Sequence, residues 1–369
     1  MNTTSSDLSK SDNMKDSSHM MRFGNQQVHN WAVYLSLIAA LALLLAVIST
    51  LGISYQVTSQ APAPEPPVVL MEKSLKKPVL VSEKHGETKK LIGKLKQYGL
   101  WEIDPPQEVS RFFIRSYPAD LNTIEDISIR KRVFLNSLLP HALYVRQETL
   151  FKRSRLESIL SKIDCSQEDI DFNSRYDTES QCSWSDFLAA DEVRFIRNLC
   201  TDYRTSNAEE LLERVDAIPT SLILAQGALE SSWGSSRFTR EGNSLFGMWT
   251  WKNKGIVPSQ REEGKTHRVK VYENVLDSVR SYQLTLNRLG PYDRLRQLRL
   301  HTDDPLILAE GLTLYSARGE AYVEDIKNVI LSNDLQKYDS CKLSDFDLPE
   351  FSSPLLNSLD LAESGKASL

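Results

Sequence analysis

Residues 31–53, WAVYLSLIAALALLLAVISTLGI, hold no charged side chain. That length and polarity match the roughly 20 apolar residues that cross a hydrocarbon core. Trp31 and Tyr34 stand at one end, where amphipathic rings favour the membrane interface. A cleaved signal peptide would start earlier, carry a shorter apolar run and end in a small-x-small site, none of which fits here. The sequence therefore predicts a single transmembrane helix. Lys15 and Arg22 precede the stretch and Lys73 follows it, so the positive-inside rule puts the N-terminus in the cytoplasm and the bulk of the chain outside.

The flanks predict a division of the chain. Residues 1–30 are polar and rich in Ser and Asp, which reads as a cytoplasmic tail with no core of its own. Residues 54–100 carry APAPEPP at 61–67 and continue Lys-rich; proline-rich sequence is stiff and extended, so this reads as a linker. The folded domain is expected over 101–341, with its core motif region at 205–338, and 342–369 as a flexible tail. Cys165, Cys182, Cys200 and Cys341 are even in number, and an oxidising compartment would permit disulfides among them, with the pairing left open.

Within the domain the pattern is mostly helical. Residues 131–160 carry Val133, Phe134, Leu138, Leu139, Leu143, Leu150 and Phe151 on an approximately helical face. Pro140 is expected to kink or divide that helix. Further helical patterns cover 185–200 and 207–217, with Asn207 as an N-cap. Pro219 suits the first turn of another helix running to Glu230. From Gly247 to Tyr272 the residues alternate around a Gly-containing turn, which predicts a small β-hairpin. Helical patterns return at 275–289, 305–315 and 321–331.

Several function classes are excluded early. The net charge of −5, with no basic stripe, gives no footprint for nucleic acid. There is no P-loop and no G-x-G-x-x-G after a strand-like run. No two His stand at helical ligand spacing, so neither a metal site nor a cofactor is expected.

Chemistry concentrates in residues 225–251, AQGALESSWGSSRFTREGNSLFGMWTW. Glu230 comes at the end of an apolar helix and shares a face with Gly227, Gln226 and Ile223. Burial disfavours a charged carboxylate, and so does a helix C-terminus. Both effects favour a protonated acid near neutral pH, as a general acid for glycoside cleavage requires. The competing reading is a structural Glu bonded to a neighbouring Ser or Arg. Trp233, Phe246, Trp249 and Trp251 follow closely; they read either as plain core or as apolar faces on which a pyranose packs. Gly234, Gly242 and Gly247 suggest tight turns.

This block resembles the signature of the β-N-acetylglucosaminidases that cut peptidoglycan, in the FlgJ-like and, closer still, the Bax family of Gram-negative bacteria. The pattern is AQ-x-A-L-E-S-x-W-G-x-S followed by G-N-N-L-F-G; here Ser244 stands where Asn is usual. Residues 131–150, 279–299 and 309–330 also resemble Bax-family blocks, in the same order. The resemblance implies an α+β fold, mostly α: a lysozyme-like helical domain with a small β-hairpin lobe, here preceded by the transmembrane helix. It implies Glu230 as the general acid toward β-1,4 bonds between N-acetylglucosamine and N-acetylmuramic acid. Together with the anchor and orientation read above, this gives a single-pass inner-membrane protein with a periplasmic catalytic domain, whose partners are peptidoglycan glycan strands and the membrane.

The second carboxylate is expected from SQREEGKT, as Glu263 with Glu262 the alternative; strand neighbours point to opposite faces, so at most one would face the cleft. The substrate's own 2-acetamido group could replace it. Tyr315 and Tyr322 match family tyrosines near the cleft; Tyr315 is expected to hydrogen-bond the sugar or a transition-state oxygen, with core packing the alternative. Trp233, Asn243, Phe246, Trp249, Tyr322 and Arg318 are the substrate-binding candidates, with Asn243 alternatively holding the turn and Arg318 alternatively in a surface ion pair. A lytic transglycosylase with one acid, and a non-catalytic glycan-binding scaffold, are the competing functions.

Overall fold

The computed structural model describes residues 87–166, 170–173, 184–251, 254–259 and 261–344, all within the unit Pro66–Leu369. The first helix, α1 (Thr88–Gln97), buries Leu91 and Leu95 in the main core. This part of the stretch read as linker therefore belongs to the folded domain. A short strand β1 (Glu108–Val109) leads to α2 (Ile127–Leu160), which Asp126 caps by accepting from the N–H groups of Ser128 and Ile129.

The helix α2 runs unbroken through Pro140. Every residue from Val133 to Val145 is buried, so packing on all sides holds the helix across a residue that would otherwise end it. Its C-terminal part joins α3 (Ala190–Tyr203) and α4 (Ala208–Arg214) around a second apolar cluster that includes Leu156, Ile159, Ile196, Leu199 and Leu211. Asn207 caps α4 as its sequence suggests, accepting from Glu210 N at 2.9 Å.

The central helix is α5 (Thr220–Glu230). It is buried from Thr220 to Ala228 and packs on α2 through Gly227, where an added Cβ would lie 2.9 Å from Leu138 Cδ2. After α5 come α6 (Arg237–Gly242), the antiparallel pair β2 (Trp249–Thr250) and β3 (Arg268–Val269), and α7 (Val275–Arg288). Val269 also bridges Ile256, so β3 lies between two neighbours in a very small sheet. Then α8 (Asp293–Arg299), α9 (Pro305–Leu308) and α10 (Glu320–Ser332) complete the helical body, and β4 (Lys342–Leu343) returns parallel to β1. The result is a mostly helical α+β fold.

Two expectations are corrected. Residues 31–53 lie outside the described residues, and no helix among the described ones is long and apolar enough to cross a membrane. The longest, α2, carries Arg130, Lys131, Arg132, Arg146, Lys152, Arg153 and Arg155, which a hydrocarbon core would not accept. The finding stands against the transmembrane helix as part of the fold and against the single-pass inner-membrane location with a periplasmic domain. The cysteines also divide differently. Cys165 is held in a disulfide, whereas Cys200 and Cys341 are free thiols. They pack on different apolar clusters, Cys341 on the main core and Cys200 on the second. Cys182 lies outside the described residues.

Candidate active site

The helix that carries Glu230 is fixed at both ends. At its start, Asp339 accepts from Ser221 N at 2.8 Å and from Ser221 Oγ at 2.6 Å, so a distant carboxylate satisfies a free amide of the first turn. At its end, Ser231 Oγ donates to Gly227 O at 2.5 Å and accepts from Gly234 N at 2.8 Å. The next three residues, Ser232, Trp233 and Gly234, take φ of 50°, 57° and 79°. Left-handed backbone is costly for residues with a Cβ, so strain is concentrated immediately after Glu230. Ser232–Gly234 turn the chain sharply and leave Glu230 as the last residue of the helix.

The chain then returns past the same carboxyl. Asn243 ends α6 in a left-handed conformation and donates from Nδ2 to Tyr272 O at 3.2 Å. Leu245 N donates to Ser278 Oγ at 3.2 Å. These bonds place Phe246 and Gly247 beside Glu230. Gly247 has φ +62°, and a Cβ built on it would lie 3.7 Å from Glu230 Oε2, with no other described atom outside its chain neighbours within 4 Å. The carboxyl therefore has open space on the Gly247 side.

On its other sides Glu230 meets tyrosines. The Tyr322 hydroxyl lies beside the carboxyl, where hydrogen bonding to it favours the charged form. Gln226, one helical turn before Glu230, donates from Nε2 to the Tyr322 hydroxyl at 2.9 Å and accepts from the Tyr282 hydroxyl at Oε1. Tyr282 stacks on Phe246 with centroids 4.0 Å apart, and Tyr322 lies parallel to Tyr315 at 5.5 Å. The Tyr315 hydroxyl donates to Phe246 O at 2.7 Å. Tyr292 completes the group, 6.0 Å from Tyr315.

Burial pushes the Glu230 carboxyl above the usual carboxylate range, and the bond from Tyr322 opposes that in part. Burial also raises the phenols, that of Tyr292 to about 12, with the nearby Glu230 charge adding to the effect. A carboxyl whose pKa is raised, set among phenols whose pKa values are raised too, is suited to giving up a proton.

The remaining candidates fall in different places. Phe246 is only 1% exposed and forms part of the core beneath the acid, not a free sugar platform. Tyr322 is likewise buried, and its hydroxyl serves Glu230. Trp233 is partly buried, edge-on to Phe134 and covered by the Lys131 ammonium 4.6 Å from its centre. Asn243 holds the turn. Arg318 pairs with Asp325 at 2.6 Å on the surface. Trp249 is 59% exposed and stacks on His267 at 4.4 Å. Glu262 and Glu263 are exposed and lie in a turn, with Lys265 N donating to Glu262 O at 3.2 Å, so the alternation of a strand does not apply to them. Gln226, Tyr282 and Tyr292 were not picked out as functional from sequence. The only trace of Gln226 there is a polar residue on the Glu230 face of an apolar helix, and the two tyrosines carry no local signal.

A glucosaminidase family model, described as mannosyl-glycoprotein endo-beta-N-acetylglucosaminidase, matches residues 205–335, which contain Glu230, Gln226 and the four tyrosines around them. The chain is 27% identical over 228 residues to Protein bax of Escherichia coli (strain K12), covering 60% of this chain and 76% of that protein. It is 30% identical over 123 residues to the peptidoglycan hydrolase FlgJ of the same strain, covering 30% of this chain and 37% of FlgJ. The catalytic domain of the autolysin Auto from Listeria monocytogenes is 20% identical with a TM-score of 0.28, covering 39% of this chain and 80% of that domain. Residues 205–335 thus form a glucosaminidase-type, glycoside-hydrolase domain, and the chain is similar to Bax and FlgJ.

Proposed function

We propose that this protein is an endo-β-N-acetylglucosaminidase that cleaves β-1,4 bonds of peptidoglycan glycan strands, with Glu230 as its general acid. One observation carries the reading: a half-buried carboxyl at the end of α5, beside the Tyr322 hydroxyl and open toward Gly247. Glu230 gives its proton to the glycosidic oxygen as the bond from that oxygen to C1 breaks, and positive charge develops on the sugar ring. The leaving chain departs with a new hydroxyl, and Glu230 remains as a carboxylate that accepts from Tyr322. Tyr315 acts by bracing Tyr322 through their parallel rings.

The partner of Glu230 in this reading is Glu263, with Glu262 the alternative, from the exposed turn before β3. It acts on the far face of the sugar, as nucleophile or as base toward water. Trp249 supplies an exposed aromatic face for a sugar further along the strand, with Trp233 and Arg318 at the margins. The domain spans 101–341 together with α1.

A second reading is favoured by a specific feature. Burial and Tyr322 are the influences on Glu230, and the two candidate partner acids are exposed in a turn. Single-acid chemistry, as in a lytic transglycosylase, needs no second carboxylate. Digestion of purified sacculi followed by mass analysis of the new ends separates the readings. Reducing N-acetylglucosamine ends support the glucosaminidase, and anhydromuramic ends the transglycosylase. Glu230→Gln should abolish either, and full activity in that variant would end both.

A further inference from the structure

We propose that Gln226, backed by Tyr282, is a positioning residue that holds the Tyr322 hydroxyl as a donor to Glu230, so that the acid's own proton is presented to the cleft. The inference rests on Glu230 being the general acid.

The argument is an accounting of protons. A phenol has one proton to donate, and a side-chain amide has a donor end and an acceptor end. Gln226 is fully buried, four residues before Glu230 on the same face of α5. In the structure its Oε1 accepts from the Tyr282 hydroxyl, and its Nε2 donates to the Tyr322 oxygen. With that oxygen receiving a proton from Gln226, the Tyr322 O–H is free to point at Glu230. The chain runs one way: Tyr282 to Gln226, Gln226 to Tyr322, Tyr322 to Glu230.

The direction has a consequence for the reaction. A carboxyl that accepts from Tyr322 on one oxygen carries its own proton away from Tyr322, toward the open side next to Gly247. After that proton leaves, the carboxylate keeps a donor in place. With the amide reversed, Tyr322 would donate to Gln226 and offer Glu230 only a lone pair. Glu230 would then turn its proton inward, away from substrate. The rings hold the geometry: Tyr282 is stacked on Phe246 at 4.0 Å, and Tyr322 lies parallel to Tyr315 at 5.5 Å. Neither hydroxyl can swing out of the core without unstacking.

The test uses Gln226→Met, which keeps bulk but removes both bonds, and Tyr282→Phe, which removes a single oxygen. Turnover of glycan strands is measured for the folded fraction of each, with its full pH profile. Gln226→Met should lower kcat about 10–100-fold with KM changed less than about threefold, a share of the ~10²–10⁴-fold a placed general acid supplies. Its alkaline limb should move up, because Tyr322, no longer held by the Gln226 donor, stabilises the carboxylate less. Tyr282→Phe should move both readouts the same way by less. A merely structural role would lower the folded fraction and leave the alkaline limb of the folded enzyme where it was.

An unmoved limb with kcat within twofold of wild type in both variants would overturn the proposal. If Gln226→Met does not fold, Tyr282→Phe decides alone. The titration of Glu230 is also followed directly by carbon-13 NMR of the side-chain carboxyl in wild type and Tyr282→Phe. That measurement keeps the relay testable if glycan strands prove not to be the substrate, an outcome shown by an inactive wild type.

Discussion

Gly247→Ala tests the open side of Glu230 with one carbon. The new Cβ would sit 3.7 Å from Glu230 Oε2, an ordinary van der Waals contact that needs no rearrangement of neighbours. Its cost to folding comes from the backbone, since φ is +62°. A left-handed conformation costs a residue with a Cβ about 1–2 kcal/mol. For a domain of this size each kcal/mol lowers Tm by about 2–4 °C, so the melt should fall by roughly 2–8 °C and stay cooperative. The effect on turnover is larger and has another source. A glycosidic oxygen must come within about 2.6–3.2 Å of the acid to receive its proton, and the methyl occupies that approach. A loss of about 100-fold or more in kcat/KM is expected, equivalent to ~2.7 kcal/mol of transition-state stabilisation. The assays are thermal unfolding followed by circular dichroism and release of new ends from glycan strands. Gly290→Ala is the control, because a Cβ there meets nothing within 4 Å and its φ is not left-handed. If Gly247→Ala keeps more than a third of wild-type kcat/KM at a temperature where it is folded, the substrate does not approach Glu230 from this side.

Three further outcomes follow from the same site. Glu230 must be protonated to act, and burial raises its pKa, so activity should fall on an alkaline limb lying above the ordinary carboxylate range; Tyr322→Phe removes the bond that lowers that pKa and should move the limb up further. The raised pKa also means that the folded protein holds a proton the unfolded chain loses first, so stability falls as pH rises from the unfolded value near 4.3 through the folded one. Glu230→Gln should accordingly raise Tm at neutral pH and leave it unchanged below about pH 4, read by calorimetry at both. Trp249 is exposed, so Trp249→Ala should keep Tm within about 1 °C while weakening binding of long glycan oligomers about tenfold, on the order of 1.4 kcal/mol by fluorescence titration; unchanged affinity would remove Trp249 from the binding surface.

The sequence was most informative where periodic burial or local capping decides the outcome. Asn207 and the helix it starts, and the position of Glu230 at a helix end, are legible because a few adjacent residues set them. Pro140 misleads for the opposite reason. Its local effect is to break a helix, but burial on every side of α2 outweighs that preference. The helix α1 hides within Lys-rich sequence, because only Leu91 and Leu95 face the core while its lysines remain in solvent. Phe246 and Trp249 sit three residues apart in one aromatic cluster, yet one is core and the other surface. Their order in the chain does not reveal which.

By itself, then, the sequence determined a mostly helical domain with a small β element, a carboxyl at the end of an apolar helix, and the glycine-rich turn that follows it. Each rests on contacts among residues close in the chain. Only the tertiary structure decided what surrounds that carboxyl. Tyr282, Tyr292, Tyr315 and Tyr322 come from α7 and the segments after it, and Asp339 caps α5 from beyond α10. None of these lies near Glu230 in sequence. The raised pKa of that carboxyl, and the hydrogen-bonded Gln226–Tyr282–Tyr322 group beside it, exist only once these distant segments have packed together.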